Sequence, residues 1–233
     1  MSPVSSSAPG SILISWPPQA AFGRVVPKSK IYEHAGANTR VKDLFVQQVE
    51  QITWLYKLAP GTINLPNRPG VQEIQVFGIQ LKSDSLDDGV LRAIDDAIST
   101  LLVFEVTRGS GDQAQTRMVA ACKRPNEADA SRQVISAYYG TDWVPAAAER
   151  APMPVALDMA QLYAGLLGHV MPLPERAGES LADWVVRTEQ AGVLQREIGR
   201  LQGRVAKEKQ FKRRVEINTQ LRQLKNDYEA LTR

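Results

Sequence analysis

At 233 residues with a formal charge of +3, the chain fits one substantial domain or a domain plus an extension. No uninterrupted apolar run is long enough to cross a bilayer, and the N-terminus, Met1-Ser-Pro-Val-Ser-Ser, lacks the positive and apolar regions of a secretory signal. The single cysteine, Cys122, excludes an internal disulfide and a cysteine-based zinc site, so the expectation is a cytoplasmic protein with no membrane contact.

Residues 1–23 are rich in Ser, Pro and Ala and read as a flexible arm, with Trp16 and Phe22 tucked onto the body. Residues 40–50 place Val41, Leu44, Phe45 and Val49 on one helical face. The period then changes: Ile52, Trp54, Tyr56 and Leu58 alternate as a strand does, until Pro60-Gly61 ends it. Residues 72–82 form the cleanest strand. Ile74 and Val76 face one way, and the doublet Val76-Phe77 followed by Gly78 predicts a bulge that reverses the faces before Ile79 and Leu81. Ser85 with Asp88 marks a helix start, and that helix runs to about Ile98 with Val90, Leu91, Ile94 and Ile98 inward. Asp95 and Asp96 read as its solvated side. Residues 101–107 and 117–123 are strands joined by a hairpin-like loop at Gly109-Ser-Gly-Asp112. Cys122 reads as a buried strand residue rather than a nucleophile. Residues 134–139 add another strand, with Trp143 close behind.

Strands interleaved with helices predict an α+β fold with a mostly antiparallel sheet packed with helices. The core domain spans residues 24–150. A Pro-flanked helix and linker follow over 151–178, and a basic helical, coiled-coil-like extension over 179–233. Its last forty residues hold eleven Lys/Arg against five Asp/Glu, so the +6 of the tail outweighs a slightly acidic remainder. No proline follows Pro174 and no glycine follows Gly203.

On a wheel of about 100° per residue, Arg196, Arg200, Arg204, Lys207, Arg214, Arg222 and Lys225 fall in one sector with Phe211 and Asn218. If the helix is continuous, this basic stripe runs about 45 Å. The apolar face splits into two heptad seams: Leu194, Ile198, Leu201 and Val205, then Ile217, Leu221, Leu224, Tyr228 and Leu231. Twelve residues separate Val205 from Ile217, where an unbroken heptad needs ten, so the seams are out of phase. Either the helix breaks near 206–216 or one helix meets two surfaces. The stripe is open to three readings: the solvated face of a coiled coil, an arm docking a partner protein, or a phosphate-binding surface.

Chemistry is sparse. His34 and His169 are the only histidines, and no phosphate loop or nucleophile elbow occurs, so no metal and no cofactor is expected. The weak catalytic alternative is a restriction-nuclease-like set, Glu73 with Gln80-Leu81-Lys82 on the 72–82 strand and Glu105 further on, in which carboxylates would bind Mg²⁺ and the lysine would position water. Gln80 stands where a carboxylate is wanted, and a neutral amide is a poor Mg²⁺ ligand.

Two stretches together resemble a known family. Ile52-Thr-Trp-Leu-Tyr-Lys-Leu-Ala-Pro-Gly-Thr-Ile-Asn64 with Gln72-Glu-Ile-Gln-Val-Phe is similar to the core of the bacterial family "domain of unknown function 4391". Lys207-Glu-Lys-Gln-Phe-Lys-Arg-Arg-Val-Glu-Ile-Asn218 is similar to its closing motif, matched at Gln210, Phe211, Arg214 and Asn218. The likeness covers most of residues 25–230. It implies a setting beside helicase and DNA-methyltransferase genes in restriction and phage-defence loci, and it supplies no catalytic residues. The expected function is therefore a non-catalytic accessory subunit. It would bind a helicase or methyltransferase subunit, or a second copy of itself, through Arg200, Arg204, Lys207, Gln210, Phe211, Arg214, Asn218, Arg222 and Lys225. A DNA-binding or nuclease-like component is the alternative.

Overall fold

Apolar residues on both faces of two neighbouring segments fix the centre of the fold. In the computed structural model, which describes residues 13–125 and 133–233, these segments are β4 (Ile74–Leu81) and β5 (Leu101–Arg108), paired in parallel and joined by helix α4 (Asp88–Ala97). Ahead of them come β1 (Leu13–Ser15), β2 (Ala21–Val25), α1 (Lys28–Ala35), α2 (Thr39–Gln48), β3 (Val49–Leu58) and the short α3 (Pro60–Ile63). After them come β6 (Gln115–Ala120), β7 (Lys123–Pro125), β8 (Gln133–Ile135), β9 (Tyr139–Gly140), β10 (Val144–Pro145), β11 (Arg150–Pro152) and α5 (Met159–Val170). Two long helices close the chain, α6 (Leu181–Lys207) and α7 (Phe211–Thr232).

The main sheet has seven strands in the order β10-β6-β5-β4-β3-β2, with β9 also pairing β6. Every ladder in it is antiparallel except β4–β5. The fold is thus α+β with a mostly antiparallel sheet and a long helical C-terminal part. Residues from α1, α2 and α4 close over one face, where Ile31, Phe45, Val90, Leu91 and Ile94 meet Ile52, Phe77, Ile79, Leu102, Phe104 and Val106. Each fully buried side chain of this size contributes about 1.5–3 kcal/mol. Along β4, Ile74 and Val76 alternate with this set and are also buried, as a strand covered on both faces requires. Helix α5 buries Met159, Leu162, Tyr163, Leu166, Leu167 and Val170, a helical period, and packs on β6. Its start is capped by Asp158, whose carboxylate accepts from Gln161 N at 2.9 Å.

Several expectations change. The face reversal expected at Val76-Phe77-Gly78 does not occur: β4 runs in unbroken register with β5 from Ile74↔Leu101 to Gln80↔Thr107. The irregularities lie on β3, where Trp54 pairs Phe77 but Tyr56 already pairs Val76. The extra residue there is Leu55, which explains Gly78: a Cβ on it would come within 2.9 Å of Leu55 Cδ1. The arm expected over 1–23 is built into the fold from residue 13 on, since β1 pairs β11 and β2 pairs β3, while Trp16 is buried as expected; residues 1–12 lie outside the described residues. Asp95 points inward and is buried, because a lysine far along the chain reaches it. Cys122 is buried as expected but is not a strand residue: it lies between the end of β6 and the start of β7.

By internal contacts the chain divides into two compact units, residues 1–170 and 171–233. In the second, α6 and α7 pack against one another as an antiparallel hairpin. Glu208, Lys209 and Gln210 form the turn. Of the two alternatives open in the sequence, the helix breaks. The slip between the seams is resolved because each seam faces the other. At the open end Arg187 NH1 donates to Leu231 O at 3.0 Å. Counting equally along both helices from that bond brings Leu201 level with Ile217, which are 2% and 7% exposed.

Candidate interaction surface

The residues weighed for catalysis are not assembled. Glu73 precedes β4 and forms an ion pair with Lys57 at 2.9 Å, while Gln75 donates to it. Gln80 and Lys82 lie at the other end of the strand, about 25 Å away at the rise of a strand. There they border a polar cleft of about 630 Å³ with Glu50, Ser83, Asp84 and Ser110. Gln80 Nε2 donates to Gly109 O at 3.0 Å. Lys82 Nζ donates to Val46 O at 3.0 Å, and Lys28 Nζ donates to Val49 O. Two ammonium groups therefore satisfy carbonyls at the C-terminus of α2, where positive charge suits the helix dipole. Burial, with Lys82 nearby, lowers the Lys28 pKa from its ordinary value. Among the described residues no group of three or more His, Cys, Asp or Glu side chains is placed to hold a metal ion.

Glu105, the remaining carboxylate of that set, ties the β1–β11 ribbon to the sheet. Its Oε1 accepts from Trp16 Nε1 at 2.6 Å and Arg150 NH1 at 2.7 Å, and its Oε2 from Arg150 NH2 at 3.1 Å. Arg150 NH1 also donates to Ile14 O. The bond to Glu105 raises the Arg150 pKa further.

A second buried network surrounds the end of α4. Lys123 Nζ donates to the carbonyls of Asp95, Ile98 and Thr100 and lies 3.2 Å from Asp95 Oδ1. Tyr138 OH donates to Asp95 Oδ2, and Arg92 lies over the Tyr138 ring while donating to Ile135 O and Ser136 O. Burial pushes the Asp95 carboxyl up and the Lys123 ammonium down. Each of these bonds is internal to the fold, and together they hold α4 to the β7–β8 segment.

The helical unit differs. At its open end Arg187 is buried and bonded through all three nitrogens: Nε and NH2 meet Glu179 at 2.7 Å each, NH2 reaches Pro174 O and NH1 reaches Leu231 O. Arg176 adds bonds to the carbonyls of Ala230, Leu231 and Arg233. Together these two side chains serve the unpaired last turn of α7. The Arg187 bonds hold the Glu179 carboxyl down to about 2. Beside this clamp, a groove of about 410 Å³ is lined by Val186, Glu189, Gln190, Val193, Leu194 and Leu231. Val186 is 44% and Val193 55% exposed.

The residues expected to bind a partner or nucleic acid divide between the helices. Arg200 pairs with Glu197 in the fashion of exposed neighbours on one helix. Arg204 and Lys207 end α6, Gln210 is the residue before α7, Phe211 opens it, and Arg214 lies over the Phe211 ring at 6.0 Å. These five residues meet at the closed end. Asn218, Arg222 and Lys225 lie further along α7 and are exposed. The continuous 45 Å stripe is therefore replaced by two shorter runs on antiparallel helices. What the wheel missed are Lys209, Lys212 and Arg213, which fall off the stripe on a straight helix but join the same end once it folds back. The slipped heptad was the available signal. The groove residues Val186 and Val193 were missed too, because they lie N-terminal to both seams.

A family model described as "Domain of unknown function (DUF4391)" matches residues 14–227. Neither the curated proteins nor the solved structures contain a match to the chain. Among the described residues no helix is long and apolar enough to cross a membrane.

Proposed function

We propose that this chain, which belongs to the DUF4391 family, is a non-catalytic accessory subunit that binds a partner protein through its helical hairpin. The observation that carries the reading is the exposed apolar row beside the Arg187 clamp. Val186 and Val193 stand at i and i+7 on one helix face, and Leu194 with Leu231 of the second helix borders the same groove. Leu194 and Leu231, at the ends of the two seams, stay partly exposed beside it, so the hairpin does not cover this row by itself. It suits an amphipathic helix of the partner, laid along α6 as a third packed helix. The partner class is a helicase or DNA-methyltransferase subunit of a restriction or phage-defence system, the setting the family resemblance implies.

The test is co-purification of full-length protein with such subunits encoded beside it. Val186→Lys with Val193→Lys places two ammonium groups in the groove and is expected to abolish the association while leaving the circular dichroism spectrum unchanged. If the double variant co-purifies as well as the parent, the groove is not the binding surface. Light scattering of the isolated protein provides the other arm. A dimer that the same two substitutions convert to a monomer assigns the groove to self-association and overturns the partner reading.

A further inference from the structure

The closed end of the hairpin carries charge that the fold does not use. Between residues 204 and 214 stand Arg204, Lys207, Lys209, Lys212, Arg213 and Arg214 against a single acid, Glu208. All six cations are exposed. Among the described residues none of the six is in an ion pair, whereas Arg187, Arg200 and Arg233 in the same unit each have a carboxylate. Glu208 is itself engaged, accepting from Gln210 N at 2.8 Å.

Helix stability does not account for the arrangement. Arg204 and Lys207 at the end of α6 suit the helix dipole, but Lys212, Arg213 and Arg214 fill the first turn of α7, where the dipole disfavours positive charge. No acidic residue stands in that turn. Phe211 sits in the middle of the cluster, 73% exposed, with Arg214 over its ring. An exposed ring costs solvation and gives the hairpin no packing.

We infer that this end of the hairpin binds single-stranded nucleic acid, the cations taking the phosphates and Phe211 stacking on an unpaired base. Repeated anionic charge matches six cations spread across two helix ends and a turn. An exposed ring set among cations matches the combination by which single strands are held without regard to sequence. A membrane surface fits less well, since a helix lying in it needs a continuous apolar face, and α7 opens with Phe-Lys-Arg-Arg. An acidic protein surface would use the cations but leave the ring without a role. This surface lies at the opposite end of α6 from the Val186–Val193 groove, so the two bind independently.

The experiment is fluorescence anisotropy of a labelled 20-nucleotide oligothymidine titrated with full-length protein. If about four phosphates are neutralised, raising salt from 50 to 200 mM weakens binding by about fiftyfold. Lys212→Glu with Arg213→Glu is expected to abolish binding at 50 mM salt. Because these substitutions place acids where the α7 dipole favours them, loss of binding cannot be attributed to an unfolded hairpin, and the melting temperature serves as the control. Phe211→Ala is expected to weaken the oligonucleotide about tenfold and to leave binding of an abasic strand of the same length unchanged. The inference is overturned by an absence of salt-sensitive binding at 50 mM, by undiminished binding of the charge-reversed variant, or by an equal loss of the abasic strand with Phe211→Ala. It is also overturned if polyglutamate, or vesicles rich in phosphatidylserine, bind as tightly as the oligonucleotide. Val186→Lys with Val193→Lys is expected to bind the oligonucleotide as the parent does, which separates failure of this surface from failure of the groove.

Discussion

The sheet unit and the helical hairpin treat charge in opposite ways. In the sheet unit the buried ions are closed on themselves: Lys123 has a carboxylate and three carbonyls, and Glu105 has a guanidinium and an indole. In the hairpin the buried closure is at the open end, between Arg187 and Glu179, Arg200 keeps an exposed pair with Glu197, and among the described residues none of the six cations at the other end is in an ion pair. A charge whose bonds are all internal contributes to folding and is lost to recognition. A charge with no internal partner is held at some cost and remains available. This difference is what the proposed reading, with the sheet as scaffold and the hairpin as binding part, rests on.

The contrast is broken most severely at Lys123. Lys123→Met removes the ammonium and leaves the Asp95 carboxylate buried beside Tyr138, with three carbonyls at the end of α4 unsatisfied. A cost of about 3–5 kcal/mol is expected in urea unfolding, the size usual when one partner of a buried pair is removed. Adding Asp95→Asn should recover part of it, because the second change removes the stranded charge. A double variant no better than the single one would mean that the carbonyl bonds, rather than the ion pair, carry the stability.

A smaller loss is expected from Gly78→Val, which forces a branched side chain against Leu55 in the β3 bulge. Overpacking of this kind costs about 1–3 kcal/mol, and Leu55→Ala in the same chain should relieve it. Neither change touches the hairpin, so oligonucleotide binding is expected to persist in both folded variants.

These two sites also mark where the sequence is informative and where it is not. The alternation of Ile74, Val76, Ile79 and Leu81 made β4 plain, but the doublet Val76-Phe77 looked like a change of face because one-sided burial was assumed. Two-sided burial, which follows from the parallel partner β5, accounts for it without a bulge. Gly78 signalled a close approach correctly, and the irregularity belongs to the neighbouring strand. Asp95 looked solvated because its partners, Lys123 and Tyr138, are 28 and 43 residues away and no local pattern announces them. In the tail, local periodicity was sufficient to expose the slip between the seams. Glu208-Lys-Gln, however, has none of the usual turn residues, so the reversal and the gathering of Lys209, Lys212 and Arg213 were not legible.

The clamp at the open end gives the hairpin an acid limit. Glu179 has its pKa held at about 2 against an ordinary 4.5, chiefly by its bonds from Arg187. Its folded value is depressed, so the stability it contributes is complete above pH 4.5 and lost as pH falls from there toward 2. Hydrogen exchange across α6 and α7 should show protection near Leu231 declining over that window. Glu179→Gln should be less protected at pH 7 and should lose the additional decline. An unchanged acid response in that variant would place the sensitivity in another carboxylate.

The smallest effect expected has the opposite sign. Lys212→Ala with Arg213→Ala removes two cations from the first turn of α7, where they oppose the dipole and repel their neighbours. Removing a surface ion pair ordinarily changes little or costs stability. Here the hairpin should become more stable, by on the order of 0.3–1 kcal/mol per residue in low salt, with the gain fading as salt screens it over a Debye length of about 8 Å at 0.15 M ionic strength. Thermal melts at 20 and 300 mM salt would measure it. The sign is the informative part. A gain in stability alongside lost oligonucleotide binding means that these lysine and arginine side chains serve recognition against the interest of the fold. A loss of stability means that they have partners in solution and belong with Lys123 and Arg187 among the charges that hold the molecule together.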